Sequence, residues 1–135
     1  MNDPSAKEVP PIRFYECELL IKTISEANSH QHWSQSKSRH SMQKKHIYLA
    51  FKDLIVPLPC TVKLSRISPR LLDGHDNLKT SFKWIVDQLA ECIIRNNEPN
   101  QTYKGPGRYD NDPRIKWEYA QEKGKPQRIR VEIFT

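Results

Sequence analysis

Between residues 78 and 93 the apolar positions Leu78, Phe82, Ile85, Val86, Leu89 and Ile93 recur at three- and four-residue intervals. That rhythm predicts an amphipathic helix with one buried stripe, capped at its start by Asp76 or Asn77. Elsewhere the period is two. In "PCTVKLSRISP", Cys60, Val62 and Leu64 alternate with Thr61, Lys63 and Ser65, which predicts a strand with one face buried. "RFYECELLIKT" (13–23) reads as an earlier strand with imperfect alternation, and "RIKWEYAQ" places Ile115, Trp117 and Tyr119 on one face. "RIRVEIF" alternates Ile129, Val131 and Ile133 after a "KGKP" turn, so the last two strands are expected to form a terminal β-hairpin. A polar segment that turns apolar before "VPLP" predicts a loop and then a helix from about Trp33 or Ser38 to Lys52. "RNNEPNQTYKGPGR" (95–108) has the composition of a long loop.

The expected order is strand, helix, strand, helix, strand, strand. It describes a small single-domain α/β (α+β) protein, with a mixed sheet packed against two helices over residues 12–135. The proline-rich residues 1–11 are expected to form a loose arm. A chain of 135 residues is long enough to bury roughly two-thirds of its unfolded surface.

Composition narrows the function classes. The chain carries 22 Lys and Arg against 16 Asp and Glu, a formal net charge of +6, and its mean hydropathy is -0.79. A basic balance favours a polyanionic partner, and the densest basic stretches are "QSKSRHSMQKKH" and "EKGKPQRIR". No basic stretch adjoins an amphipathic segment of the membrane-surface type, so nucleic acid is the expected polyanion. No apolar run spans a membrane, and "MNDPSAKEVPP" lacks a signal peptide's apolar stretch, which points to a cytoplasmic protein. Cys17, Cys60 and Cys92 include no CxxC pair and read as small core residues. With four glycines and no GxGxxG, phosphate loop or GxSxG, nucleotide-cofactor and serine-hydrolase chemistry find no footing.

The candidate chemistry lies in the acidic positions. Asp73 and Asp76 flank a Gly-His pair at the start of the second helix, and Asp110 and Asp112 follow the long loop. On a helix turning about 100° per residue, Asp76, Lys83 and Asp87 fall within roughly 40° of one another, nearly opposite the apolar stripe. Converging carboxylates suit a hard cation such as Mg²⁺, which takes oxygen ligands and keeps several waters. The competing reading is that Asp73 and Asp76 cap a helix, Asp110 and Asp112 make a turn, and Lys83 pairs with Asp87 on an exposed face. His75 is a possible ligand or general base, or simply faces solvent. His30, His32, His40 and His46 lack a partner cysteine set for zinc and read as DNA-facing or incidental, and Trp33 is assigned to the core over a base-stacking role.

"DGHDNLKTSFKWIVDQL", the acidic "YDNDPRIKWEY" and the terminal "IRVEI" together resemble the RusA family of Holliday junction resolvases, over most of the chain from about Asn28. The resemblance implies metal-binding aspartates at Asp73, Asp76 and Asp112. It implies an active-site lysine at Lys83, which precedes Asp87 with the family's spacing. Lys79 is the second candidate, because this chain has about three extra residues between "DNL" and Lys83. Asp110 is a supporting or substitute ligand. Lys83, Asp76 and Asp112 would then be the catalytic residues. Implied as well are a small homodimeric α/β fold, a phage or prophage setting, and Mg²⁺-dependent hydrolysis of phosphodiesters in paired strands of a four-way DNA junction. Two further readings stay open: a non-catalytic nucleic-acid-binding module, and a general nuclease for flaps or single strands.

Overall fold

The stripe expected over residues 78–93 is buried as one face, but two helices carry it rather than one. In this computed structural model, which describes residues 12–24 and 33–135, α2 covers His75–Ser81 and α3 covers Lys83–Asn97. Leu78, Phe82, Ile85, Val86, Leu89 and Ile93 are each at most 7% exposed, so the inferred phase is correct. The break falls at Phe82, whose φ of -99° and ψ of 2° lie outside the helical well. The Thr80 hydroxyl donates to the Asn77 carbonyl at 3.2 Å and that of Ser81 to Leu78 at 2.6 Å. Such bonds to carbonyls one turn back compete with the helical ladder and bend it.

The other elements are β1 (Arg13–Leu19), α1 (Trp33–Phe51), β2 (Cys60–Ser68), β3 (Ile115–Lys123) and β4 (Arg128–Phe134). The loose arm expected at 1–11, His30, His32 and the side chain of Trp33 lie outside the described residues. No helix among the described residues is long and apolar enough to cross a membrane.

The four strands form one mixed sheet in the order β1-β4-β2-β3, with β2 parallel to β3 and antiparallel to β4. This corrects the terminal hairpin, since β3 and β4 lie on either side of β2 instead of pairing. Alternation identifies a strand but not its partner. The 124–127 connection steps over the end of β2, a span of roughly 10 Å. The Gly124 amide donates to the Ser68 carbonyl at 3.1 Å. A Cβ at Gly124 would sit 2.6 Å from the Ile67 Cγ2, so this passage requires glycine.

One face of the sheet meets the helices. Val62 and Leu64, with Ile129, Val131 and Ile133 of β4, are fully buried there against Ile47 and Phe51 of α1 and the α3 stripe. Cys60 and Cys92 belong to this core, and burial pushes the Cys60 thiol up to about 11, so it stays protonated and unreactive. The opposite face is a lattice of paired charges. Glu18 accepts from Arg128 at 2.8 Å and Arg130 at 3.0 Å, and Arg130 also reaches Glu122 at 2.8 Å.

Candidate active site

Two residues at one end of the sheet hold the loop that carries the first acidic pair. Arg66, at the end of β2, is 5% exposed, with no carboxylate partner among the described residues. It donates to the Thr23 hydroxyl at 3.1 Å and to the Arg70 carbonyl at 2.8 Å. Gln121 stands opposite it on β3. The Gln121 side-chain amide accepts from the Leu72 amide at 2.9 Å and donates to the Leu72 carbonyl at 3.0 Å. That double bond copies a strand pairing and fixes residues 70–72 over β3.

The chain then turns through Gly74, whose φ of 77° is open to glycine and strained for most other residues. Asp73, His75 and Asp76 follow as exposed side chains. The expected cap is absent. Gly74 occupies the cap position of α2 with no side-chain bond to the helix. Asn77 instead donates from its amide to the Asp73 carbonyl at 2.6 Å. Asp76 stands in the first turn, where a carboxylate favours the helix dipole without capping it. Lys79 is in the last turn of α2, the complementary position for a cation.

Along α3, Lys83, Asp87, Glu91 and Arg95 recur every fourth residue and form one polar stripe. The 98–114 loop runs back along that stripe. Tyr103 donates its hydroxyl to Glu91 at 3.0 Å. Gly107 comes against Asp87, so a Cβ there would stand 3.5 Å from Oδ2. Asp110 accepts at its carbonyl from the Trp117 indole at 3.2 Å.

Asp87 is half-buried, and its carboxyl is held above the usual range by burial and then by the negative charge of Asp110, against the pull of Lys83 and Lys44. Tyr119 is likewise raised, by burial first and Asp110 second. The His75 ring meets Tyr119 edge-on at 6.2 Å. Tyr119 therefore joins the Asp73–Asp76 loop to the Asp87–Asp110 pair. Lys83 is exposed, with its ammonium 4.9 Å from the centre of the Trp84 ring, and Trp84 stacks on His40 at 4.4 Å.

Asp112 is placed apart from these groups. Both its carboxylate oxygens bind Arg114, which donates from Nε at 3.1 Å and from its terminal nitrogen at 2.9 Å. Arg114 also pairs with Glu98 at 2.8 Å, at the far end of α3 from Asp76, and α3 itself rises about 21 Å. The guanidinium holds Asp112 below the ordinary carboxylate range. The structure thus brings together Lys83, Asp87 and Asp110, sets Asp73 and Asp76 on the adjoining loop, and does not bring Asp112 to them. Among the described residues, no three His, Cys, Asp or Glu side chains gather as a metal-holding group.

Of the expected set, Asp73 and Asp76 are exposed, and Asp112 has both its oxygens engaged by Arg114. Asp87 and Asp110 act on one another electrostatically, and one or two carboxylates, with water and substrate phosphate completing the shell, commonly suffice for Mg²⁺. The sequence places Asp87 on the polar stripe four residues after Lys83, and Tyr119 on one face of a strand, without giving either a metal-binding role. The half-buried setting of Asp87 is the added fact, and it depends on a loop twenty residues further on. Compared with known proteins, the chain matches no family model, and no curated sequence matches it significantly.

Proposed function

We propose that this protein is a Mg²⁺-dependent, structure-selective endodeoxyribonuclease that hydrolyses phosphodiesters at four-way DNA junctions, acting as a homodimer. The supporting observation is the half-buried Asp87, covered by the loop that carries Asp110 and within electrostatic reach of Asp110, Lys83 and Lys44, on a chain of net charge +6. Two carboxylates set side by side repel one another, and a cation between them relieves that cost.

Asp87 and Asp110 would hold the ion, with Asp73 and Asp76 exposed on the next loop toward the same substrate. A bound Mg²⁺ supplies charge neutralisation and a more acidic water. The chain's own residues do the rest. Lys83 meets a phosphate oxygen and offsets charge as it develops. Gly107 lets the loop backbone lie close over Asp87, which limits the water that reaches it. Asp112 acts at a distance, anchoring the loop through Arg114 to Glu98. The basic surface holds the DNA backbone, and a two-fold assembly would set two such sites on two equivalent strands.

Incubating the protein with an end-labelled four-way junction, with and without Mg²⁺, tests this reading. Paired incisions that need Mg²⁺ are expected. A junction that is bound but uncut would make the chain a binding module, and equal cutting of flaps or single strands would make it a general nuclease. Sedimentation should give about twice the monomer's 15.9 kDa, and a monomer on junction DNA would contradict paired incision.

A further inference from the structure

We propose that Arg95 and Tyr103 form a stacking platform for an unpaired nucleobase of the DNA held at the neighbouring site. The inference rests on the nucleic-acid reading above and adds the recognition of an unpaired base beside the scissile backbone. Tyr103 is 45% exposed. Its hydroxyl is tied to Glu91 at 3.0 Å. The Arg95 guanidinium lies 4.5 Å from its ring centre. Tyr109 lies near-parallel to it, with centroids 6.1 Å apart and planes 25° from one another. Lys104 adds a second cation, 5.6 Å from the Tyr109 ring centre. The Arg95 side chain itself is 51% exposed.

The result is a pre-ordered tyrosine ring and guanidinium open to solvent, backed by the buried Tyr109. Two of its members, Glu91 and Arg95, sit on the same α3 stripe as Asp87. From Asp87 to Arg95 the helix rises about 12 Å, so a strand whose scissile phosphate lies at the site around Asp87 has nucleotides within reach of the platform. Aromatic rings and guanidinium planes accept any base face, whereas a paired and stacked base offers none. Because the Glu91 bond already fixes the ring, stacking on it costs little further entropy.

A purely structural account holds that these contacts only staple the 98–114 loop to α3. The two accounts separate in a stacking-sensitive measurement. The full-length protein is mixed without Mg²⁺ with DNA carrying 2-aminopurine at one unpaired position and a dye at the 5′ end. Anisotropy reports binding, and 2-aminopurine emission reports stacking. Wild type and Tyr103→Phe, which keeps the ring and loses the Glu91 bond, should both quench the emission. Tyr103→Leu should abolish quenching and weaken binding about tenfold. Arg95→Lys keeps the charge but not the plane, and should reduce quenching. In a duplex with 2-aminopurine paired, base stacking already keeps the emission low, and binding should leave it unchanged. Binding with undiminished emission, or equal quenching by Tyr103→Leu, would overturn the platform and leave the nuclease reading standing. Absence of binding to either DNA would remove both.

Discussion

On the sheet face away from the helices, Glu18 lies 2.8 Å from Arg128 and 3.0 Å from Arg130, and these two hold its carboxyl below the usual range. On the helix side, Asp87 is raised, by burial and by a second carboxylate, and the cations near it are lysines. Both regions combine the same classes of charge. On the sheet, the planar forks of arginine match carboxylates directly and each charge is consumed by its neighbour. At the α3 stripe, the negative charge of Asp110 acts on the Asp87 carboxyl instead of an arginine fork, and the ammonium groups are flexible point charges able to meet an incoming phosphate. Paired charges order a surface, while unreconciled charges leave room for a ligand. Asp112 extends the lesson within one loop. Two residues beyond Asp110, it belongs with the sated carboxylates because Arg114 claims both its oxygens.

The largest expected effect concerns salt. If about six phosphates are contacted, DNA affinity should fall roughly a thousandfold between 50 and 200 mM salt. The contrast between the faces sharpens this. Lys44→Ala and Lys83→Ala should each lower the slope of log affinity against log salt by about 1, whereas Arg130→Ala should leave it unchanged. A flat response, or a slope that follows Arg130, would break the comparison.

Cleavage gives the next contrast. Lys83→Ala should slow it by about 100-fold, the scale seen when one group stabilising developing charge is removed, with a much smaller effect on binding in the absence of Mg²⁺. Lys79→Ala, at the end of α2, should be mild. Equal losses from both lysines would mean that general charge matters more than placement.

Smaller effects should appear in stability, with opposite signs. Asp87 has a raised folded pKa, so its ionisation opposes folding, and that contribution turns unfavourable as pH rises through the carboxylate range. Asp112 is lowered, so it stabilises the fold above that range and loses this contribution as pH falls. Urea denaturation at about pH 7 should show Asp87→Asn more stable than wild type and Asp112→Asn less stable. Each change should be no more than about 1 kcal/mol, given solvent screening, and both should shrink toward about pH 3. Destabilisation by Asp87→Asn at neutral pH would contradict the unreconciled pair.

What the sequence made legible follows from period. The α3 stripe and the β4 alternation depend on local spacing, and both faces came out in the right phase. Strand pairing depends on which edges remain free once the helices are laid down. The alternation of Ile129, Val131 and Ile133 therefore could not reveal that β2 separates β4 from β3. The site was legible as an acidic and basic vocabulary but not as a grouping. Asp112 and Asp110 look alike in "YDNDPRI", and only the fork from Arg114 tells them apart. Asp76 looked like a cap, yet the turn through Gly74 places no side chain in that position. Gln121 and Arg66 carried no signal, because their partners are backbone carbonyls and an amide.

The most direct test of the unreconciled pair is the rate of Mg²⁺-dependent junction cleavage by Asp87→Asn beside that of Glu18→Gln. Each substitution removes one negative charge at nearly constant size, one from each kind of region. Glu18→Gln should cut at near the wild-type rate. Asp87→Asn should cut at least 100-fold more slowly, while still binding the junction without Mg²⁺. Cleavage by Asp87→Asn at the wild-type rate, or an equal loss in Glu18→Gln, would contradict the account.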